Sequence, residues 1–186
     1  MGIRAVLGLA VLLVLAAPAT AWAWGPVTHV KLATDLLEHL HLLPAGLAIL
    51  LARHRKDFLF GNIAADVVVA KRLSRVRHAC HHWETGFSLL DDAETDRGRA
   101  FAYGYLCHLA ADTVAHGKFL PRQMTLTRTT MSLGHLYWEM RADAAVGTRY
   151  RYLLRQVLKE VSLDHRASLH ARLTDTFLPF TMNWTF

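Results

Sequence analysis

Cysteine is scarce in this sequence. Cys80 and Cys107 are the only two among 186 residues, and they never approach a Cys-x-x-Cys spacing. That excludes a thiolate zinc site and a thioredoxin-type redox motif. Strand-like alternation of apolar and polar residues is also missing, which argues against a sheet. Internal repeats, linkers and low-complexity segments are absent, so a chain of this length reads as one domain. Charged residues make up 19% and apolar residues 53%. The chain is therefore too apolar to be disordered, and too often interrupted by charge to span a membrane repeatedly. Lys and Arg total 21 against 15 Asp and Glu, a modest net charge of +6.

One long apolar run is present, from Ala5 to Ala17. It is short for a membrane span. Arg4 precedes it, Pro18 follows it, and Ala21-Trp22-Ala23 has the small-x-small form of a signal cleavage site. Residues 1–23 are read as a secretory signal peptide, giving an exported mature chain that begins at Trp24. Export makes the location secreted or periplasmic. It also permits one disulfide between Cys80 and Cys107, with two small buried thiols as the alternative.

The remainder, 24–186, reads as a single compact all-α domain. Leu32, Leu36, Leu37 and Leu40 recur at helical spacing after Pro26 and before Pro44. Further helices are expected over 45–55, 83–94, 97–116, 129–146, 149–161 and 164–177. Residues 58–66 read as an irregular turn around Gly61, 74–82 as a polar loop, and Gly117 as the stop of the longest helix. Lys71, Arg72, Arg75 and Arg77 form the one dense basic cluster. It is either a solvated loop or a phosphate-facing patch. The tail over 177–186 is aromatic and would pack on the core or touch lipid headgroups.

What the chain has in quantity is histidine, twelve in all. His108, Asp112 and His116 are spaced by four, so on a helix they share a face. Apolar neighbours (Leu106, Leu109, Ala110, Ala111, Val114) turn that face inward. Buried imidazoles and carboxylates need partners, and a divalent metal serves both. His135 and Glu139 repeat the device at i, i+4 on the next long helix. Nitrogen and oxygen donors without thiolate suit zinc. Asp66, His82 and His29 are further candidates. His29 lies five residues beyond Trp24, whose freed α-amine and carbonyl oxygen would together form a chelate.

The combination Trp24-Gly-Pro-Val-Thr-His29, Gly61-Asn-Ile-Ala-Ala-Asp66, His82-Trp83, His108-x-x-x-Asp112-x-x-x-His116 and His135-x-x-x-Glu139 resembles the zinc-dependent phospholipase C family. That family shares its fold with the fungal single-strand-specific nucleases. The resemblance covers roughly residues 24–146. It implies a phosphodiesterase with three zinc ions on a helical scaffold. Asp66, His82, His108 and Asp112 would hold one zinc. Trp24, His29 and the bridging Asp112 would hold a second, and His116, His135 and Glu139 the third. A hydroxide shared by two zincs would attack phosphorus, with Asp66 as a base assisting the water. His82 is chosen over His81 because an aromatic residue, Trp83, follows it, as in the family. His78 and His81 are left as outer-shell candidates, and His39, His41, His54, His165 and His170 as surface or packing residues.

Tyr103, Tyr105, Tyr137 and Trp138 flank the ligand helices. They are either core residues or pocket walls able to meet a quaternary ammonium. The substrate implied is a phospholipid or another phosphodiester, with peripheral membrane contact. Nucleic acid is the weaker candidate, since the basic cluster is the sole hint of backbone tracking. The rival readings are a single-strand nuclease on the same core and a non-catalytic zinc-binding envelope protein.

Overall fold

The computed structural model describes residues 24–66, 79–129, 131–160, 165 and 167–169. The signal segment 1–23, the basic cluster at 71–77, His78, His170 and the aromatic tail lie outside the described residues. So does most of the helix expected over 164–177, of which His165 and 167–169 are helical.

Among the described residues eight α-helices follow in chain order: α1 Pro26–Glu38, α2 Ala45–Arg53, α3 Arg55–Ala64, α4 Trp83–Asp91, α5 Asp96–Val114, α6 Leu120–Thr127, α7 Met131–Val146 and α8 Thr148–Lys159. Short 3₁₀ turns cover Leu40–Leu42 and Ala79–His81. No strand occurs among the described residues. The all-α class expected from composition and periodicity is the observed one.

Helix α5 runs through the centre. Its start is set by Thr95, whose Oγ1 accepts a hydrogen bond from Gly98 N at 3.0 Å, the usual N-cap device. Against it lies α3, and the two helices touch backbone to backbone. A Cβ on Gly61 would sit 2.1 Å from Phe101 O, and one on Gly104 would sit 2.1 Å from Phe58 O. Both are well inside van der Waals contact, so neither position has room for a side chain. Around this crossing Phe58, Phe60, Ile63, Phe101, Tyr105 and Leu109 form the main core, with Val30, Ala33 and Leu37 of α1, Leu89 of α4 and Val157 of α8. A second, small cluster joins Ala115, Leu120 and Met124 to Trp24, Phe119 and Trp138.

Two sequence-based expectations are corrected. Residues 58–66 are helical almost throughout, not a turn. Gly61 serves the close crossing, not a reversal. Gly117 does not end the longest helix either. The chain continues through a five-residue π-helical turn, Ala115–Phe119, directly into α6. The stop comes at Arg128, in the left-handed region at φ 50°. Both glycines resemble punctuation in the sequence, and both sit where helix neighbours override a weak local preference.

Candidate metal centre

The α3–α5 crossing fixes the first part of the site. His108 is fully buried on α5, and its Nδ1–H donates to the carbonyl of Asn62 on α3 at 2.9 Å. Asn62 in turn donates through Nδ2 to Phe58 O at 3.1 Å. With Nδ1 committed, His108 presents Nε2 and its lone pair inward, the arrangement typical of a metal-bound histidine.

Four side-chain atoms meet there. His108 Nε2 is 3.3 Å from His81 Nε2, 3.3 Å from Asp112 Oδ2 and 4.0 Å from Asp66 Oδ1. His81 Nε2 is 3.4 Å from Asp66 Oδ1 and 3.5 Å from Asp112 Oδ2. A tetrahedral zinc with bonds of about 2.0–2.1 Å separates its ligands by roughly 3.3–3.4 Å. Four of these five edges, at 3.3–3.5 Å, lie close to that value, and the His108–Asp66 edge is longer. Asp66 arrives from the end of α3, His81 from the 3₁₀ turn, and His108 and Asp112 from successive turns of α5.

The second oxygen of Asp112 faces elsewhere. Its Oδ1 lies 3.2 Å from His29 Nε2. Both atoms are buried without a well-formed hydrogen bond among the described residues, as is His29 Nδ1. Close approach without alignment is what two donors directed at a shared cation produce. The His29 ring stacks on His108 at 4.0 Å between centroids. His29, Asp66 and His108 thus form a second group with ligand atoms close enough to hold one ion. Trp24 stands beside it, 6.5 Å from the His29 ring and 6.0 Å from Phe119.

A third group lies along α7 and the π turn. His135 and Glu139 are buried. His135 sits between two neighbours, with Nδ1 3.2 Å from Glu139 Oε1 and Nε2 3.3 Å from His116 Nδ1. Glu139 Oε1 is another buried oxygen with no well-formed hydrogen bond among the described residues. His116 lies in the π turn and stacks on His135, 5.1 Å between ring centroids. Helical insertions of this kind recur at functional sites.

Electrostatics prepares these groups for a cation. Burial alone would raise the Asp112 carboxyl, but the facing His108 and His29 outweigh it and hold the group far below the carboxylate range. Burial lowers His29, helped by the neighbouring His108 and opposed by Asp112 and Asp66. Burial lowers His116 as well. Burial raises Glu139, against the pull of His135. Neutral imidazoles beside an ionised carboxylate are the protonation states that metal ligation requires. The donor set, its orphaned buried atoms and its spacing all fit zinc.

The structure therefore gathers Trp24, His29, Asp66, His108, Asp112, His116, His135 and Glu139 in one region. It does not bring His82 there. His82 is exposed at the N-cap of α4 in extended backbone, and the neighbouring His81 takes the inward position. Cys80 and Cys107 are not joined by a disulfide, and burial pushes Cys107 up to about 11, so it is no nucleophile near neutral pH. Tyr105 is core: its hydroxyl is buried and donates to the carbonyl of Cys80. His165, expected to be a surface or packing residue, is buried and stacks on Phe101 at 4.5 Å. Residues missed by the sequence reading are Asn62, which orients His108, and Asp143. The signal for Asp143 was present, since His135, Glu139 and Asp143 continue one i, i+4 series.

Comparison with curated proteins and with solved structures gives no match. A family model described as zinc dependent phospholipase C matches residues 28–181, which takes in every gathered residue except Trp24. On that match, with two groups of side chains able to hold a metal ion, the chain belongs to the zinc-dependent phospholipase C family.

Proposed function

We propose that this chain is an exported phospholipase C that cleaves phospholipid headgroups at a centre of three zinc ions. The observation that carries the reading is the set of near-tetrahedral separations, 3.3–3.5 Å over four of the five measured edges, among His81, His108, Asp66 and Asp112. Those four side chains would hold one zinc. His29, the amine and carbonyl of Trp24 after signal cleavage, and the second oxygen of Asp112 would hold another. His116, His135 and Glu139 would hold the third. Bound there, zinc would supply Lewis acidity toward the phosphoryl oxygens and would lower the pKa of a water beside it.

The protein's own groups divide the remaining work. His29, His81 and His108 bind as neutral donors. Asn62 holds the His108 ring in its tautomer. Asp112, facing two cations at once in this reading, would stay ionised and be a poor proton acceptor. Glu139 is committed to His135 in the third group, so Asp66 is the carboxylate we assign to assist the attacking water as a base. Three ligand carboxylates offset only part of the charge of three dications, so the centre attracts an anionic phosphodiester. No described helix is long and apolar enough to cross a membrane, so contact with lipid is peripheral in this reading.

The test uses protein exported with its leader, with the new N-terminus verified at Trp24. Zinc per chain and hydrolysis of a chromogenic phosphocholine ester and of denatured DNA are measured on one sample. About three zincs with ester hydrolysis and intact DNA are expected. Asp112→Asn should lose two zincs together, because its carboxylate serves two groups. DNA cleavage without ester cleavage would make the protein a nuclease, and full zinc without either activity would make it a non-catalytic zinc protein.

A further inference from the structure

Helix α1 has an unusual start. Gly25 occupies the N-cap position and has no side chain to accept a hydrogen bond, and Pro26 follows with no N–H. The cap comes instead from Asp143, more than a hundred residues away on α7. Asp143 Oδ1 accepts from Thr28 N at 2.9 Å and from Thr28 Oγ1 at 2.7 Å, and Oδ2 accepts from Val27 N at 3.3 Å. A carboxylate is favoured there by the orphan amides and the helix dipole. Glycine at 25 is what admits it, for a Cβ would lie 2.1 Å from Asp143 Oδ2.

A serine or aspartate at position 25 would cap α1 without any distant partner. The arrangement found does more than cap. The tethered turn lies between Trp24 and His29, and the tethering residue is about one helical turn along α7 from Glu139 and about two from His135. We infer that Asp143 is a positioning residue that sets the distance and angle between the Trp24–His29 group and the His135–Glu139 group. The inference rests on the zinc-binding reading above.

The experiment separates tethering from capping. Zinc content, zinc affinity by competition with a chelator, and melting temperature are compared in wild type, Asp143→Ala, the double variant Gly25→Ser/Asp143→Ala, Thr28→Val and Thr95→Ala. In Asp143→Ala the most weakly held zinc should bind at least tenfold less tightly or be lost. In the double variant the introduced serine supplies a local cap, no longer obstructed by the carboxylate. Its melting temperature should recover while its zinc affinity stays low. Thr28→Val, which removes one of the three contacts, should be intermediate and keeps the test open if Asp143→Ala folds poorly. Thr95→Ala loses a cap elsewhere and should keep wild-type zinc despite a lower melting temperature. Zinc affinity that returns with stability in the double variant would reduce Asp143 to a cap and overturn the inference. A wild-type protein that binds no zinc would overturn it together with the functional reading.

Discussion

At the scale of single residues, the adjacent pair His81 and His82 shows how backbone conformation selects a ligand. His81 ends a 3₁₀ turn whose middle residue, Cys80, is buried. The carbonyl of Cys80 accepts from the Tyr105 hydroxyl, and its sulfur lies 3.3 Å from His81 Nδ1. The ring is thereby turned inward with Nε2 toward His108. One residue later the chain is extended, and His82 faces solvent. The presence of Trp83 favoured His82 in the sequence, but Trp83 is itself substantially exposed and does not draw its neighbour inward. His81→Ala should therefore cost more activity and zinc than the roughly tenfold to hundredfold loss typical of outer-sphere partners. His82→Ala should stay near wild type. Equal losses, read by zinc analysis and ester hydrolysis, would restore His82 as the ligand.

At the scale of elements, the decisive contact is the glycine crossing of α3 and α5. It lets the Asn62 carbonyl reach His108 and brings Asp66 and Asp112 to the same two histidines, His81 and His108. Gly104→Ala would force the helices apart, since the added methyl meets backbone atoms that cannot rotate away. We expect a loss of about 1–3 kcal/mol or more in denaturant unfolding, with weaker zinc binding as His108 loses its orienting acceptor. Gly46→Ala on α2 is the contrast. Its Cβ would meet nothing within 4 Å, so removing a helical glycine should stabilise by about 0.5–1 kcal/mol. If both changes were neutral, close packing would not be what Gly104 provides.

At the scale of the whole molecule, a second polar centre lies apart from the histidine cluster. His165 Nε2 is 2.6 Å from Asp57 Oδ1, and Arg97 donates to the same carboxylate through Nε at 3.2 Å and Nη2 at 3.1 Å. These groups line a cavity of about 760 Å³ between α1, α3, α5 and α8. Burial would raise Asp57, but His165 and Arg97 outweigh it and lower it below the usual carboxylate range. A depressed carboxyl contributes stability above its unfolded pKa near 3.9. That contribution is lost as pH falls through the lower folded value. Asp57→Asn should cost about 1.5–3 kcal/mol at neutral pH. Thermal melts should show the gap to wild type narrowing as pH drops below about 4. An unchanged gap in strong acid would mean that packing, not charge, is what Asp57 contributes.

Local chemistry by itself determined much of this protein. Helical periodicity and the absence of strand patterning required an all-α chain. The i, i+4 spacing of His108 with Asp112 and of His135 with Glu139 required shared faces, because helix geometry is fixed by the backbone alone. Those features lie within one element, where sequence separation and spatial separation are the same thing. Which of two adjacent histidines turns inward was decided only by tertiary structure, as was the helical use of Gly61 and Gly117. The same holds for Asn62 as orienter of His108 and for the capping of α1 by Asp143. Each depends on a partner from another helix, and a partner brought close only by folding leaves no fixed spacing in the sequence.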